Sequence, residues 1–381
     1  LGEEVGWGTL HAFANQWFDY SENRMIEAIK SMPGGAGGAL STHDAIPGTP
    51  PDGITITSKV NIDPENAFIE VDLTDNPDAL QCGLNVSEAC TRTSAMIGIF
   101  NSIDNTVPKN AGAFRRIKLH LKDNGVVGIP KHPTSCSAAT TNVADRVQNS
   151  TMRAMAEIGE GLGMGEIGCF CPPSTSVVSG TDPRNNKPYV NQLFLGHTAG
   201  AGAPREDAWM TMLHAGNGGM CFIDSVELDE IYTPIHVQTR RLIADSEGAG
   251  RFRGAPGIEV ELRPVSCRME AGFVADGNIH NPLGARGGKA AAKSDQFRRT
   301  PEGELERLDQ CSQVWIEDGE ALVSIACGGG GYGDPKTRDP ARVLSDVREG
   351  LVSRNRAKNV YGVVVTEMME IDETATAALR N

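Results

Sequence analysis

Several features that would assign the chain to a particular class of protein are absent. No run of about 18 apolar residues occurs, which argues against a membrane-spanning helix. The 35 Lys and Arg are outnumbered by 49 Asp and Glu, giving a net charge of −14. Such a chain lacks the positive surface that nucleic acids and anionic membranes require, so neither is an expected partner. No pattern repeats at a fixed period, which disfavours a solenoid or a propeller.

Paired C-x-x-C motifs and a secretory leader are also missing. The nine cysteines are scattered, and the only close pair is the C-x-C of Cys169 and Cys171. A zinc ribbon requires two C-x-x-C pairs, and an odd count argues against a disulfide framework. The chain starts at Leu1 without a basic and then apolar leader, so no secretory precursor is expected. We therefore expect reduced, mostly buried thiols and a cytoplasmic location.

Four consecutive glycines at 328–331 raise the question of phosphate binding. A P-loop requires Lys-Ser/Thr directly after its last glycine, whereas here Gly333 is followed by Asp334 and Pro335. A carboxylate beside a phosphate would repel it. The run is instead typical of chain that adopts positive φ or lets other backbone segments approach closely.

Hydrophobic periodicity predicts an α+β fold with mixed and largely antiparallel sheets, flanking helices and a strand-rich C-terminal half. Helices are predicted at 7–30, 86–103, 142–159 and 342–349. Strands are predicted at 53–60, 67–73, 114–122, 222–228, 234–242, 257–263, 267–274 and 361–365, with a hairpin at 313–326. We divide the chain into an α+β domain at 1–160, a β-rich domain with glycine-rich loops at 161–335 and a C-terminal helix and tail at 336–381.

Several segments resemble the hydantoinase B/5-oxoprolinase family. The C-terminal GGGGYGDPKTRDPARVLSDVREG is similar to the signature of that family, as are SEGAGRFRGAPG at 246–257 and DNTVPKNAGAFRRI at 104–117. Asp19-Tyr20-Ser21-Glu22 resembles the end of a family helix. The resemblance extends over nearly the whole chain and is most specific in its last two hundred residues.

This resemblance implies a subunit of an ATP-dependent enzyme that opens a lactam or hydantoin ring. In the family, a hydantoinase A-type partner binds ATP with Mg²⁺ and phosphorylates the amide oxygen, which makes a poor leaving group a good one. Related complexes carboxylate ketones such as acetone or acetophenone, so a carboxylase subunit is the alternative. A non-catalytic assembly subunit is the second alternative.

The resemblance also implies an N-terminal region that precedes the first helix found here. That region carries Asn-Asp-Pro, Gly-Thr-His and His-x-x-Asp stretches, none of which this sequence contains. We therefore expect the ligands of any divalent metal, zinc or manganese, to lie outside this chain. A separate N-terminal half of the same subunit is a further expected partner.

The segment GHTAGAGAPREDAWMTMLHAGNGGM at 196–220 is the first candidate site, because it places ionisable side chains on a glycine-rich scaffold. The family has Arg-Asp-Gly followed by His-Met at this place. By that match we predict Asp207 and His214 as catalytic and Arg205 as substrate-binding. The alternative is a solvated loop with hydrogen-bonded histidines.

The second candidate site is the start of the helix predicted at 142–159. The family shows Gly-Asn-x-x-x-Ser-Gln-Arg there, which implies substrate-binding roles for Thr141, Asn142 and Gln148. A helix N-terminus presents free N–H groups to a carboxylate or a phosphorylated oxygen. The alternative is that Asn142 merely caps the helix. His120, His132, His236 and His280 are left unassigned, and His43-Asp44 is predicted to be a turn.

Overall fold

The structure is a computed structural model that describes residues 1–138, 142–170, 172–208 and 223–380. The α-helices of these residues are α1 (Gly2–Val5), α2 (Trp7–Lys30), α3 (Glu88–Phe100), α4 (Ala111–Phe114), α5 (Val143–Ile158), α6 (Val226–Tyr232), α7 (Pro340–Arg348), α8 (Arg354–Asn359) and α9 (Glu373–Arg380). The strands are β1 (Gly35–His43), β2 (Ile54–Asp63), β3 (Phe68–Asp72), β4 (Ile117–His120), β5 (Lys122–Asp123), β6 (Gly128–Ile129), β7 (Val177–Asp182), β8 (Lys187–Gln192), β9 (Ile235–Leu242), β10 (Ile258–Pro264), β11 (Met269–Val274), β12 (Asp295–Arg299), β13 (Leu305–Arg307), β14 (Cys311–Ile316) and β15 (Ala321–Ile325). None of the helices within the described ranges is long and apolar enough to cross a membrane.

The predicted α+β class with largely antiparallel sheets is confirmed. The chain forms two compact units: the first comprises Leu1–Ser41, Thr55–Ser137 and Arg146–Gly163, and the second comprises Thr42–Ile54, Ala138–Asp145 and Met164–Asn381. The division into domains at residues 160 and 335 stays a prediction.

The first unit contains helix α2 and most of a four-stranded sheet with the order β1-β2-β3-β4. The strands predicted at 53–60 and 67–73 are found as β2 and β3, which pair antiparallel as a hairpin with Val60 opposite Val71. Its turn closes where the backbone N–H of Asn66 donates to Asp63 Oδ1 at 3.0 Å. The alternating burial along β2 explains why the period of two was readable in the sequence.

The helices of the first unit lie close to their predicted positions, but some of their apolar side chains are exposed. α2 has the predicted bounds, and Met25 and Ile29 are fully buried. Phe13 and Trp17, although apolar and at helical spacing, are instead exposed. The strand predicted at 114–122 is shorter, because α4, whose N-cap is Asn110, occupies its beginning.

The second unit contains two antiparallel sheets, with strand orders β13-β12-β15-β10-β9 and β14-β11-β7-β8. Both sheets contribute to one hydrophobic core, for example Val260 and Leu322 from the first and Val178 and Met269 from the second. Full burial of each such side chain contributes about 1.5–3 kcal/mol. This core fixes the two sheets that support the candidate site described below.

Three predictions for the second unit are wrong. The hairpin at 313–326 is two strands of different sheets, since β14 pairs with β11 and β15 with β10 and β12. The strand at 222–228 is helix α6, which begins after the N-cap Ser225. The segment 161–203, for which no individual strand is predicted, contains the β7–β8 hairpin. The strand at 361–365 is reduced to one bridge between Val365 and Ile371.

The glycine run lies where backbone segments meet. A Cβ at Gly328, Gly329, Gly330 or Gly331 would collide with a backbone carbonyl oxygen, of Ser246, Gly200, Leu283 or Ala249 respectively. The predicted close approach is therefore confirmed. Positive φ is found at Gly333, with φ +75°, and not within the run itself, so that part of the prediction is wrong.

Candidate functional site

A buried polar cluster lies in the second unit, directly after strand β1. It consists of His43, Asp44, Asn142 and Asp276, each at most 3% exposed, and we call it the Asp44 cluster. These residues are far apart in the sequence and meet only in the folded chain. Asp44 and Asp276, for example, are 232 positions apart. Burial of so many polar groups is unfavourable unless each is hydrogen-bonded, which makes the bonding pattern informative.

The carboxylate of Asp44 is surrounded by uncharged donors. The backbone N–H groups of Asn278, Ile279 and His280 donate to it at 2.6, 3.0 and 2.7 Å. The side-chain amide of Gln310 donates to Oδ2 at 2.8 Å. Successive backbone N–H groups that point at one oxygen pair form an anion-binding nest, which compensates the desolvation of a buried carboxylate.

The hydrogen bonds of His43 fix its tautomer. Nδ1 lies 2.7 Å from the carbonyl oxygen of Asp44, and because that oxygen only accepts, Nδ1 carries the proton. Nε2 is then free to accept, and the amide Nδ2 of Asn142 lies 3.1 Å from it. The same Nδ2 donates to the carbonyl oxygen of Val274 at 3.2 Å. Asn142 therefore connects the histidine to the end of β11.

Asp276 completes the cluster. Its Oδ1 accepts from the backbone N–H groups of Asp44 and Gly277 at 2.9 and 2.8 Å. Its Oδ2 lies 3.7 Å from His43 Nε2. His43 Nε2 and Asp276 Oδ2 are therefore neighbours beyond hydrogen-bond distance, and the amide of Asn142 fixes the orientation of the imidazole beside this carboxylate.

A small cleft adjoins the Asp44 cluster within the second unit. It measures about 230 Å³ and is lined by Ile279, Gln296, Arg307, Leu308, Asp309 and Gln310. Ile279 and Gln310 also donate to Asp44, so two residues of the cleft wall contact the cluster. The volume is below the 300–1,000 Å³ that is usual for drug-sized ligands, so the cleft suits a small molecule.

Asp207, predicted as catalytic, is held by arginines. Both of its oxygens accept from Arg338, at 2.6 and 2.8 Å, and Arg342 lies 3.1 Å from Oδ2. Arg338 is 1% exposed and also donates to Asp346 at 2.8 Å. Burial raises the pKa of Asp207, but the hydrogen bonds and charge of Arg338 outweigh burial and the net pKa is lowered. The catalytic role of Asp207 stays a prediction.

The other predicted site residues are distributed differently. The structure brings Asn142 together with His43 and Asp276, whereas Arg205 lies exposed on the loop before Asp207. Gln148 is buried in α5, in the first unit. Thr141 and His214 lie outside the described residues. Their roles stay predictions.

Two further histidines, one in the glycine-rich candidate segment and one left unassigned, have structural partners. His197 is 3% exposed, its Nε2 lies 2.9 Å from the carbonyl oxygen of Pro256, and burial lowers its pKa. It is therefore a neutral donor that ties two loops together. His280, left unassigned, donates its backbone N–H to Asp44.

Sequence reasoning missed His43, Asp44, Asp276 and Arg338. The pair His43-Asp44 is predicted as a turn, and no spacing rule links it to a residue more than two hundred positions away. The signal that was available is the adjacent His-Asp pair at the end of a strand of small residues, GAGGALSTH.

Among the described residues, neither a cluster of metal ligands nor a phosphate cradle at the glycine run is found. Within the described part of the chain, no three His, Cys, Asp or Glu side chains converge to hold a metal ion. The glycine run is packed against other backbone segments on all four residues, which leaves no cradle for a triphosphate there.

Two curated proteins are similar to essentially the whole chain. The beta subunit of caprolactamase from Pseudomonas jessenii is 28% identical over 396 residues, covering 100% of this chain and 65% of that protein. The B component of a putative D-/L-hydantoinase from Pseudomonas sp. (strain NS671) is 28% identical over 401 residues, covering 99% of this chain and 64% of that protein. The chain thus spans less than two thirds of the length of these relatives.

Two solved structures share the fold. The ATP-dependent caprolactamase from Pseudomonas jessenii superposes with a TM-score of 0.84 at 23% identity, over 100% of this chain and 65% of that chain. The nucleotide-free structure of acetone carboxylase superposes with a TM-score of 0.81 at 17% identity, over 100% of this chain and 56% of that chain. Residues 1–335 match the family described as hydantoinase B/oxoprolinase. The resemblance predicted from the sequence is confirmed, and the chain belongs to the hydantoinase B/oxoprolinase family.

Proposed function

We propose that this chain is part of a subunit of an ATP-dependent hydrolase that opens a cyclic amide, a lactam or a hydantoin. The observation that carries the proposal is the similarity over essentially the whole chain to proteins named for caprolactam and hydantoin. Both rings contain a cyclic amide bond, so the substrate class rests on the chemistry those two names share.

Activation by a partner protein explains how such a reaction proceeds. An amide oxygen is a poor leaving group, and phosphorylation converts it into a good one. We assign ATP and Mg²⁺ to a hydantoinase A-type partner, because the glycine run of this chain is filled by its own backbone. This chain then has to orient the activated amide and a water molecule, which is a task of positioning and proton transfer.

Within this chain, we assign the positioning task to the Asp44 cluster and its cleft. The three backbone donors to Asp44 fix the segment after β11, and Asn142 fixes the imidazole of His43 against Asp276. Asp207 and His214 as catalytic residues, and Thr141, Gln148 and Arg205 as substrate contacts, belong to this proposal on the family match alone. Any zinc or manganese is assigned to residues outside this chain, with a separate N-terminal half as one source.

A ketone carboxylase is the second candidate function. It is favoured by one observation, the full coverage of this chain by the acetone carboxylase fold. The hydrolase is preferred because the two relatives that match almost the whole chain are named for cyclic amides. We place the complex in the cytoplasm, since the seven described cysteines are free thiols.

The test is an assay of the intact complex that is purified through a tag on the full-length polypeptide. We expect release of ADP together with a ring-opened product from caprolactam, hydantoin or 5-oxoproline, each followed by mass spectrometry. Acetone with ¹³C-bicarbonate serves as the comparison substrate.

Each outcome of that assay decides between the alternatives. Ring opening without bicarbonate incorporation supports the hydrolase. Incorporation of ¹³C into acetone identifies a carboxylase and refutes the hydrolase. If the partner alone opens the ring at the same rate, this chain is an assembly subunit.

A further inference from the structure

Helix α6 buries a carboxyl group and leaves its larger side chains in solvent. Asp229 is its only buried residue, at 8% exposed, whereas Leu228, Ile231 and Tyr232 are 54%, 61% and 74% exposed. Val226 is partly buried against the core of the two sheets. A helix of a globular unit normally buries an apolar stripe, so the attachment of α6 depends to an uncommon degree on an ionisable group.

The carboxyl group of Asp229 has few partners for a buried group. Its Oδ1 accepts from the side-chain amide of Asn191 on β8, and that hydrogen bond is long, at 3.4 Å. Its Oδ2 is buried and has no hydrogen-bond partner in the part of the chain that the structure describes. An ionised carboxylate in such a place loses its hydration without gaining a compensating charge or donor.

A second carboxylate lies near Asp229. Asp224, which precedes α6, is fixed in position because its Oδ2 accepts from the backbone N–H of Phe194 at 2.7 Å and its own N–H donates to Phe194 at 2.9 Å. Arg240 of β9 donates to the carbonyl oxygen of Asp224 at 3.1 Å. Burial, followed by the charge of Asp224, raises the pKa of Asp229 to about 6, and the Asn191 hydrogen bond and the charge of Arg240 oppose this only in part.

The other charged groups on and around α6 are engaged elsewhere. Among the described residues, none of them donates to Asp229. They form three pairs: Arg184 with Asp182 at 2.8 Å, His236 with Glu230 at 3.0 Å, and Ser225 with Glu227 at 2.7 Å. A proton is therefore the partner that compensates the burial of the Asp229 carboxyl group.

We propose that the attachment of α6 to β8 is pH-sensitive: it is stable while Asp229 carries a proton and weakens when the carboxyl group ionises. The neutral group can remain buried beside Asp224, whereas the ionised group is repelled by Asp224 and stabilised by water. Reaching water requires α6 to move away from β8, since Asp229 is the residue that the helix buries. This inference does not depend on the proposed enzymatic function.

The sign of the effect follows from the raised folded-state pKa of Asp229. An unfolded Asp titrates near pH 3.9. Between that pH and about 6 the attached helix holds a proton that the detached helix has released, so the stability of the attachment falls as the pH rises through this window and stays low above it. A shift of about one to two pKa units corresponds to a rise of about 10- to 100-fold in the equilibrium constant for opening.

Native-state hydrogen exchange of the full-length polypeptide, compared between wild type and Asp229→Asn from pH 4 to pH 8, tests the proposal. The amide of Asn has the shape of the carboxyl group but does not ionise. We expect the ratio of opening constants of the α6 amides, wild type over variant, to rise about 10- to 100-fold between pH 4 and pH 8. Because the two proteins are compared at each pH, the pH dependence of the exchange chemistry cancels.

Glu227→Gln is the matched control, because it removes one charge from an exposed position of the same helix. We expect its ratio to wild type to change by no more than about threefold over the same range. The Ser225 hydrogen bond lowers the pKa of Glu227, so any small change has the opposite sign.

Three outcomes overturn the proposal: a ratio for Asp229→Asn that is the same at pH 4 and pH 8, an equal rise for Glu227→Gln, and α6 amides that are unprotected in wild type already at pH 4. If Asp229→Asn does not fold, the ¹³C chemical shift of the Asp229 carboxyl group in wild type decides. A titration midpoint near 6 with a parallel loss of α6 protection supports the proposal, and a midpoint below 5 overturns it.

Discussion

At the scale of residues, the second unit stabilises the carboxylates of Asp44 and Asp207 in two different ways. Asp44 accepts from three backbone N–H groups and one amide, all of them uncharged. Asp207 accepts from Arg338 through both oxygens. Uncharged donors fix the position of the Asp44 carboxylate, whereas the bidentate Arg338 also neutralises the charge of Asp207. Loss of the Asp207 carboxylate therefore leaves the buried guanidinium of Arg338 with one partner fewer.

Asp207→Asn is expected to lower the stability of the chain by about 1.5–3 kcal/mol, the range for hydrogen bonds to charged groups. The effect depends on pH with a defined sign. The folded-state pKa of Asp207 is lowered, so its contribution is present above the unfolded-state value of about 3.9 and is lost as the pH falls toward the folded-state value. Urea unfolding at pH 7 and below pH 4 should therefore show a difference between wild type and variant that shrinks with acidification.

Glu206→Gln provides the control, because it removes the same charge from an exposed neighbour. We expect it to leave the unfolding curve within about 0.5 kcal/mol of wild type at either pH. Equal stability of Asp207→Asn and wild type at pH 7 would contradict the ion-pair account.

At the scale of elements, the sequence predicts a helix or a hairpin correctly where its formation depends only on neighbouring residues. α2 and the β2–β3 hairpin were predictable because periodicity and turn residues are local properties. The β14–β15 pair was not, because two strands joined by a short turn can enter different sheets, and pairing is decided by distant strands. The exposed face of α2 shows the same limit, since a hydrophobic stripe does not reveal which surface covers it.

Gly330→Ala tests the close approach within the glycine run. The added Cβ would collide with the Leu283 carbonyl oxygen, and backbone on both sides has to shift. Overpacking of this kind costs about 1–3 kcal/mol or more, and we expect thermal unfolding at a correspondingly lower temperature. Gly272→Ala is the control, because the nearest atom to its Cβ, the Val177 carbonyl oxygen, is 3.9 Å away. Similar melting temperatures for the two variants would refute the packing argument.

At the scale of the whole molecule, family membership was readable from the sequence but the polar cluster was not. The glycine run and Asn142 were identified because their neighbours form contiguous motifs. His43, Asp44 and Asp276 come from segments that are far apart, and each alone is an ordinary residue of a strand end or a loop. Long-range convergence of this kind is visible only once the two sheets of the second unit are assembled.

The last prediction concerns the C-terminal helices, because residues 336–381 are predicted from the sequence to form a division of the chain separate from the β-rich domain. In the structure they form a small core in which Tyr361 and Ala249 are both fully buried. Tyr361 and Arg356 donate to Glu247, which is 1% exposed. Removing the donors of a buried carboxylate costs about 3–5 kcal/mol, before the lost apolar contacts are counted.

A chain truncated after Pro335 is therefore expected not to fold its second unit, as judged by circular dichroism and by rapid proteolysis. Truncation after Asp372 removes only α9, whose one buried residue is Thr376, and should leave a folded chain that melts slightly earlier. The two truncated chains show whether the C-terminal helices are part of the second unit or fold independently of it. If both truncated chains resist protease as well as the full chain does, the C-terminal helices are an independent part, and the ion pairs to Glu247 and Asp207 contribute little to the second unit.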